Sequence, residues 1–438
     1  MRTGSRRRLL VDTAPLRFDR DYRWLWTGQA INGIGTQITR IALPYQVYVL
    51  TGSTLAVAGL TAVQLIPILV FALGAGSIAD AVDRRKLLLL TQLGLLACSA
   101  SLVAIAALPS PPLIGIFVVA FAAAGLSAVD QPARASAIPR LVPPERLPSA
   151  IALNQLNFQV GSIVGPAIGG LLIATVGLTG AYVADVLSFS ASIVGVAAIA
   201  PLPPLGAVTR PGLAAIREGL RFAGGHRVIL STFVIDLNAM IFGMPTSLFP
   251  ALALDVFKVG PGGLGLLAAA PAAGAFLGAL LSGWVSSVRR VGRAVIIAVA
   301  IWGAAIALFG LSTFSFALAL VFLAIAGAAD VLSAVFRSTI VQLETPDELR
   351  GRVTSIHILV VTSGPRVGDI EAATVGAIVG PQLSVVSGGL LCVAGVAVVA
   401  RLFPELAAHV VRTTAAPASA APAAVAAQGG GVENSKSN

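Results

Sequence analysis

The sequence predicts an all-α membrane protein, with twelve transmembrane helices arranged as two pseudo-symmetric six-helix bundles. Three observations lead there. Of 438 residues, 56% are hydrophobic and 11% charged, against about 25% charged in an ordinary soluble domain. The apolar residues fall into twelve runs, each near or above the roughly 20 residues that a spanning helix needs. Between those runs the basic residues collect in alternate intervals. This composition excludes a disordered chain and a soluble enzyme with a thin core. With 6% aromatic residues, the apolar mass is aliphatic and small, which suits packed helices better than a barrel girdle.

Taken in order, the predicted spans cover about 24–50, 55–79, 87–108, 112–133, 149–176, 180–200, 228–254, 263–285, 292–312, 314–337, 352–380 and 382–403, with ends uncertain by about 2–4 residues. They divide the chain into a basic amino terminus (1–23), a first bundle (24–200), a hydrophilic central loop (201–227), a second bundle (228–403) and a tail (404–438). The central loop holds Pro201, Pro203, Pro204 and Pro211, then Arg217, Glu218 and Arg221. The tail is rich in Ala, Pro and Gly and is expected to be disordered. Arg6, Arg7 and Arg8 precede no short apolar stretch with a cleavage site, so the first span is expected to act as its own insertion signal.

The net charge is +10, but its distribution argues against nucleic acid as a partner. Lys258 alone falls in an outer interval and Arg40 and Arg366 fall within spans. The other basic residues sit at the amino terminus, at 84–86, 134–146, 210–227, 289–293 and 337–352, and after 400. This asymmetry places both termini in the cytoplasm. Cys98 and Cys392 lie far apart inside apolar runs, so neither a disulfide nor a metal site is expected. The halves also echo one another. Ser136, Ile138, Leu141, Pro144 and Leu147 recur as Ser338, Ile340, Leu343, Pro346 and Leu349 at a constant offset of 202 residues. Parallel repeats about an axis along the membrane normal produce this pattern.

After the second span stands Gly76-Ser-Ile-Ala-Asp80-Ala-Val-Asp83-Arg84-Arg85-Lys86. It resembles the major facilitator superfamily, whose signature at this place is G-x-x-x-D-R-x-G-R-R. The resemblance implies that Gly76 lets two helices approach and that Asp80 latches onto a helix end of the other half. Arg84 and Arg85 would then hold the loop at the anionic inner leaflet. Ala81 and Asp83 depart from the pattern, so no intraloop ion pair can include residue 81. The fifth span carries Gly161, Gly165, Pro166, Gly169 and Gly170, a small-residue face for helix packing with a bend at Pro166. It is similar to the G-P-x-x-G-G element of the superfamily's exporters. The run Gly364-Pro365-Arg366-Val-Gly368-Asp369-Ile-Glu371 of the eleventh span most resembles the enterobactin-exporter branch, as do Asp236-Leu-Asn238 in the seventh and Leu43-Pro44-Tyr45-Gln46 in the first.

Charges at bilayer depth mark candidate sites, since each costs at least ~2.5–3.5 kcal/mol to insert. The resemblance puts helices one, four, seven and ten around the cavity, so Arg40 and Asp236 should face it from opposite halves, with Arg366, Asp369 and Glu371 beside it. Arg40 suits contact with an anionic substrate, or snorkels to the surface. Asp236, with Asn238 nearby and no cation within four positions, is a proton-coupling candidate, as are Asp369 and Glu371, because burial favours a protonated carboxyl. The plainer reading makes Arg366 and Asp369 a self-neutralising pair on one helix. Asp130, Arg134, Asp330 and Arg337, at inner helix ends, are candidate gate residues. Asp185 reads as a structural acid near the outer surface. His226, His357 and His409 are scattered in sequence.

No G-x-x-x-x-G-K-[ST] loop and no H-E-x-x-H occur, and no cofactor or metal is expected. The expectation is therefore a monomeric, non-enzymatic proton antiporter of a bacterial cytoplasmic membrane. Its partners are a small-molecule substrate, protons and the lipid bilayer. The branch resemblance implies a siderophore or related metabolite as cargo. The alternatives are a broad-specificity drug or macrolide exporter and, further off, a non-transporting membrane receptor.

Overall fold

The computed structural model describes residues 12–72, 82–204, 221–346 and 349–410, and among these the chain is helical with no strand. Helix α1 (Arg20–Thr51) ends at Gly52, whose left-handed backbone (φ 62°) turns its N–H back to the Tyr48 carbonyl at 2.7 Å. That stop leaves one residue, Ser53, before α2 (Thr54–Ala72) begins. Helix α3 (Arg84–Ala106) starts on Asp83, whose carboxylate accepts from the Arg85 and Lys86 N–H groups at 2.9 and 3.3 Å. A carboxylate here satisfies donors that the helix leaves orphaned. Helix α4 (Leu113–Leu141) and a single 3-10 turn lead into the longest helical run, α5 (Leu147–Ala197).

As one rod, the 51 residues of α5 would reach about 75 Å, more than twice the ~30 Å thickness of a hydrocarbon core. They reverse direction instead. Gly177 adopts φ 76° and ψ −179°, a backbone region open essentially to glycine. On the first rod Gly161, Gly165 and Gly169 pass Gly33, Gln37 and Ile38 of α1 in ascending order. On the second rod Tyr182 bonds to Gln46, Asp185 and Ser188 lie at Gly35, and Gly195 lies at Trp24. Both rods therefore flank α1, running in opposite senses. The small-residue face of Gly161, Gly165 and Gly169 is what lets the first rod approach α1 backbone.

The other half contains α6 (Arg227–Phe242), α7 (Gly260–Leu280), α8 (Val291–Leu311), α9 (Phe316–Glu344), α10 (Arg350–Val379) and α11 (Pro381–Leu402). The expected seventh span is interrupted: α6 stops at Gly243, and Pro245 precedes a 3-10 turn at Thr246–Leu248. Nine helices among the described residues are long and apolar enough to cross a membrane. Helices α1 and α10 match them in length but carry the polar residues of interest, Gln37, Arg40 and Gln46 in one, and Arg366, Asp369 and Glu371 in the other.

Four buried clusters show where the halves meet. The largest surrounds Leu248, Val299, Trp302, Phe309 and Ile340 and takes in Ala58 from the other half. The second surrounds Ile38, Val47, Ile116 and Tyr182 and takes in Ala251. A third, at Tyr22, Leu88, Ala137 and Leu153, and a fourth, at Ile229, Phe233, Val341 and Val353, each draw on one half only. Contacts between halves thus gather toward the face where α1 ends and α2 begins. There the Tyr48 hydroxyl donates to Asp255 and Thr54 Oγ1 donates to the Ala373 carbonyl at 3.0 Å. Gly170 of α5 meets Gly265 of α7 so closely that a Cβ on either would lie 2.5–2.6 Å from a backbone oxygen. On the opposite face, rich in arginine, two ion pairs among the described residues lie within a half: Arg146–Asp19 at 3.0 Å and Arg227–Glu405 at 2.7 Å.

Candidate functional site

Two groups of buried or half-buried charge occupy the space between and beside these clusters. The first lies where the halves join. Beyond the break in α6, the Thr246 hydroxyl and the Ser247 N–H (2.8 Å) both donate to Asp369 Oδ1, and the Ser247 hydroxyl donates to the Asp369 carbonyl at 2.7 Å. Gly364 and Gly368 allow this approach, because a Cβ at Gly368 would lie 2.1 Å from the Met240 carbonyl oxygen. Arg366 does not pair with Asp369 as an intrahelical ion pair. Its Nη1 donates across the junction to Gln64 Oε1 of α2 at 3.1 Å. Three residues apart on a helix, the two side chains reach different neighbours. Arg40, exposed on α1, acts electrostatically on both Arg366 and Asp369. Neither arginine bonds to Asp369, whose Oδ1 is taken up by Thr246 and Ser247. Glu371 is half-buried, with no hydrogen bond or ion pair among the described residues.

The second group belongs to the carboxyl-terminal half. Asp236 is not isolated: Arg337 Nη1 of α9 lies 2.6 Å from its Oδ1, with side-chain exposures of 1% and 3%. The sequence window of four positions could not reveal this partner, because it comes from another helix. The contact is poorly aligned. Neither Asp236 oxygen, nor Arg337 Nε or Nη1, completes a hydrogen bond. Asp330 and His357 add their fields to the pair, and the His357 ring lies 6.1 Å from the Phe233 ring, tilted by 34°. Asn238 points elsewhere, donating to the Cys392 carbonyl of α11 at 2.9 Å, and so ties two helices together rather than joining Asp236.

The remaining predicted residues separate from these groups. Asp130 and Arg134 form an i,i+4 pair at 3.1 Å within α4, and Asp130 also accepts from Thr91 and Gln92 of α3 at 2.7 and 2.9 Å. All of these partners lie in one half, and Arg134 Nη1 completes no hydrogen bond. Gly76 and Asp80 lie outside the described residues. Asp83 serves as the helix cap and also accepts from the Leu202 N–H at 3.3 Å. Arg84 is buried and donates to Ser136 at 2.9 Å, and Arg85 donates to the Ala197 carbonyl at 2.6 Å. Both arginines thus reach into protein, where sequence reasoning expected lipid headgroups. Asp185 sits 1% exposed between α1, α3 and the second rod of α5.

Sequence reasoning also missed a convergence. His226 and His409 approach opposite oxygens of Glu344 at 3.6 and 3.7 Å, bringing two of three scattered histidines to one carboxylate. Gln64, Thr246 and Ser247 were likewise unforeseen, since their positions depend on the junction between halves.

A helical chain with broken spans, paired intramembrane charges and halves joined at one face is built as a polytopic membrane transporter. The chain belongs to the family described as Transmembrane secretion effector, whose model matches residues 11–432, within the major facilitator superfamily. Among its relatives, the enterobactin exporter EntS of Shigella boydii serotype 18 is 27% identical over 389 residues, covering 87% of this chain and 91% of that one. EntS of Escherichia coli O139:H28 gives the same figures. Solved structures agree in fold. A POT family transporter in complex with 5-aminolevulinic acid superposes with a TM-score of 0.71 at 12% identity, over 89% of this chain and 97% of that one. A bacterial homologue of the iron transporter ferroportin, in an inward-facing state, gives 0.69 at 14% identity, over 90% and 100%.

Proposed function

We propose that this transporter exports a small, anionic organic molecule of the siderophore class from a bacterial cytoplasm in exchange for protons. Counting the two rods of α5 separately and adding α1 and α10 gives twelve spans in two six-helix bundles (24–200 and 228–403). Both termini and the loop at 201–227 are then cytoplasmic, and the protein works as a monomer. The observation that carries the cargo reading is Arg366, half-buried at the junction and donating across it to the neutral Gln64 at 3.1 Å rather than to a carboxylate. This leaves an excess of positive charge where the halves meet, and a bound anion would offset it. The relatives named as enterobactin exporters support the same cargo class.

Asp236 is the proton-coupling residue in this reading. Protonation removes its charge and frees Arg337, and the loosely aligned contact at 2.6 Å lowers the resistance to that exchange. Among the described residues the contacts between halves gather at the face opposite the arginine-rich one, which supports a conformation open to the cytoplasm. The test is transport in proteoliposomes under an imposed pH gradient, beside siderophore release from a deletion strain. Asp236→Asn is expected to lose gradient-driven flux and retain counterflow. Drug hypersensitivity of the deletion strain with normal siderophore release would overturn the cargo assignment.

A further inference from the structure

Among the described residues three aspartates are buried: Asp130, Asp185 and Asp236. Arg134 and Arg337 stand within 3.1 Å of the first and third. Asp185 has no cation at ion-pair distance, although it is 1% exposed. Facing it are Asn32, Gly35 and Thr39 of α1, Ser99 of α3, and Tyr182 and Ser188 of its own helix. Tyr182 is the one titratable group in that set, and its hydroxyl is engaged with Gln46 Oε1 at 2.7 Å. An isolated carboxylate buried this way is prohibitively costly and becomes neutral instead.

The hydrogen bonds around Asp185 are unequal. Oδ2 accepts from Thr39 at 2.7 Å and from Ser99 at 2.8 Å. Oδ1 has only the Ser188 hydroxyl, at 3.4 Å. That hydroxyl also reaches the Asp185 carbonyl at 2.7 Å and Asn32 Oδ1 at 3.3 Å, so little of its donor capacity falls on Oδ1. A neutral carboxylic acid fits this arrangement, with one oxygen receiving two donors and the other left almost without one.

We propose that Asp185 is a second proton site, in the amino-terminal half, loaded in this conformation and emptied to water when α1 separates from the second rod of α5. The unloading step breaks the carboxyl O–H bond, passes the proton to a water molecule and leaves a carboxylate held by Thr39 and Ser99. Thr39 adjoins Arg40, so the hydrogen bond to Asp185 is made by the helix that carries Arg40. The coupling part of the proposal rests on the antiport reading above, and the protonation part does not.

Infrared difference spectroscopy of the purified full-length protein tests protonation directly. At neutral pH in potassium buffer, a carboxylic-acid carbonyl absorption is expected in the wild type, and one component of it is expected to persist in Asp236→Asn and to vanish in Asp185→Asn. Because an amide copies both the shape and the donor–acceptor pattern of the neutral acid, Asp185→Asn should keep the wild-type melting temperature, whereas Asp185→Leu should lower it. A band unchanged in Asp185→Asn would overturn the proposal, and so would a band that disappears when sodium replaces potassium, since that means a bound cation. In proteoliposomes, Asp185→Asn should reduce gradient-driven flux to the no-gradient rate while counterflow continues. Undiminished driven flux would overturn the coupling role. Absence of driven flux in the wild type would sink the antiport reading and leave the spectroscopic result standing.

Discussion

Replacing Gly170 with alanine tests whether the glycine contact between α5 and α7 holds the junction closed. A Cβ at residue 170 would lie 2.6 Å from the Pro261 carbonyl oxygen, 2.8 Å from Gly265 Cα and 2.9 Å from Gly265 N. All three are backbone atoms, so no side chain can swing away. Restoring ordinary contact requires the helices to part by about 0.5–1 Å, and overpacking of this kind costs about 1–3 kcal/mol. Applied to the closed junction alone, that cost shifts its population about 5- to 150-fold. A reporter exists in Thr54, 7% exposed and bonded across the junction to Ala373. In a Cys98→Ser background, Thr54→Cys should react with a membrane-impermeant maleimide faster once Gly170→Ala is added. Gly161→Ala is the control, because its Cβ would find nothing nearer than 3.7 Å. Equal labelling rates in Gly170→Ala and Gly161→Ala would refute the reasoning.

Other expected outcomes follow from the same contacts. Asp236→Asn and Arg337→Gln should each destabilise the protein by ~3–5 kcal/mol, because each strands a buried partner. Their double variant should cost less than the sum, as read from a thermal-melt double-mutant cycle in detergent. Gly177→Ala forces an L residue into the backbone of the α5 reversal and should cost about 1–3 kcal/mol, seen as a lowered melting temperature. Thr246→Val removes a donor from Asp369 and should weaken binding of an anionic substrate less than Arg366→Ala does, since the arginine supplies net charge and the threonine only orientation. Equilibrium binding to the purified protein ranks the two, and the reverse order would contradict the assigned roles.

Much of this architecture was legible in the linear chain because spanning a bilayer imposes length and polarity on every helix. The apolar runs, the membrane class and the superfamily were all readable, and so was the break between 176 and 180, since a run as long as Leu147–Ala197 has to turn. The glycines at 161, 165 and 169 stood out by spacing, and α1 runs along the face they create. What periodicity and spacing could not supply were partners contributed by other helices. Asp236 looked unpaired because Arg337 stands a hundred positions away. Arg366 and Asp369 looked paired because they are three apart, yet Gln64 and Ser247 claim them. Asp185 gave no sign in sequence of Thr39 and Ser99, which other helices bring to it. Insertion into a membrane acts on each segment separately and is therefore written locally. The protonation, pairing and reach of a buried charge depend on whichever groups surround it, and here packing between helices distant in sequence selects those groups.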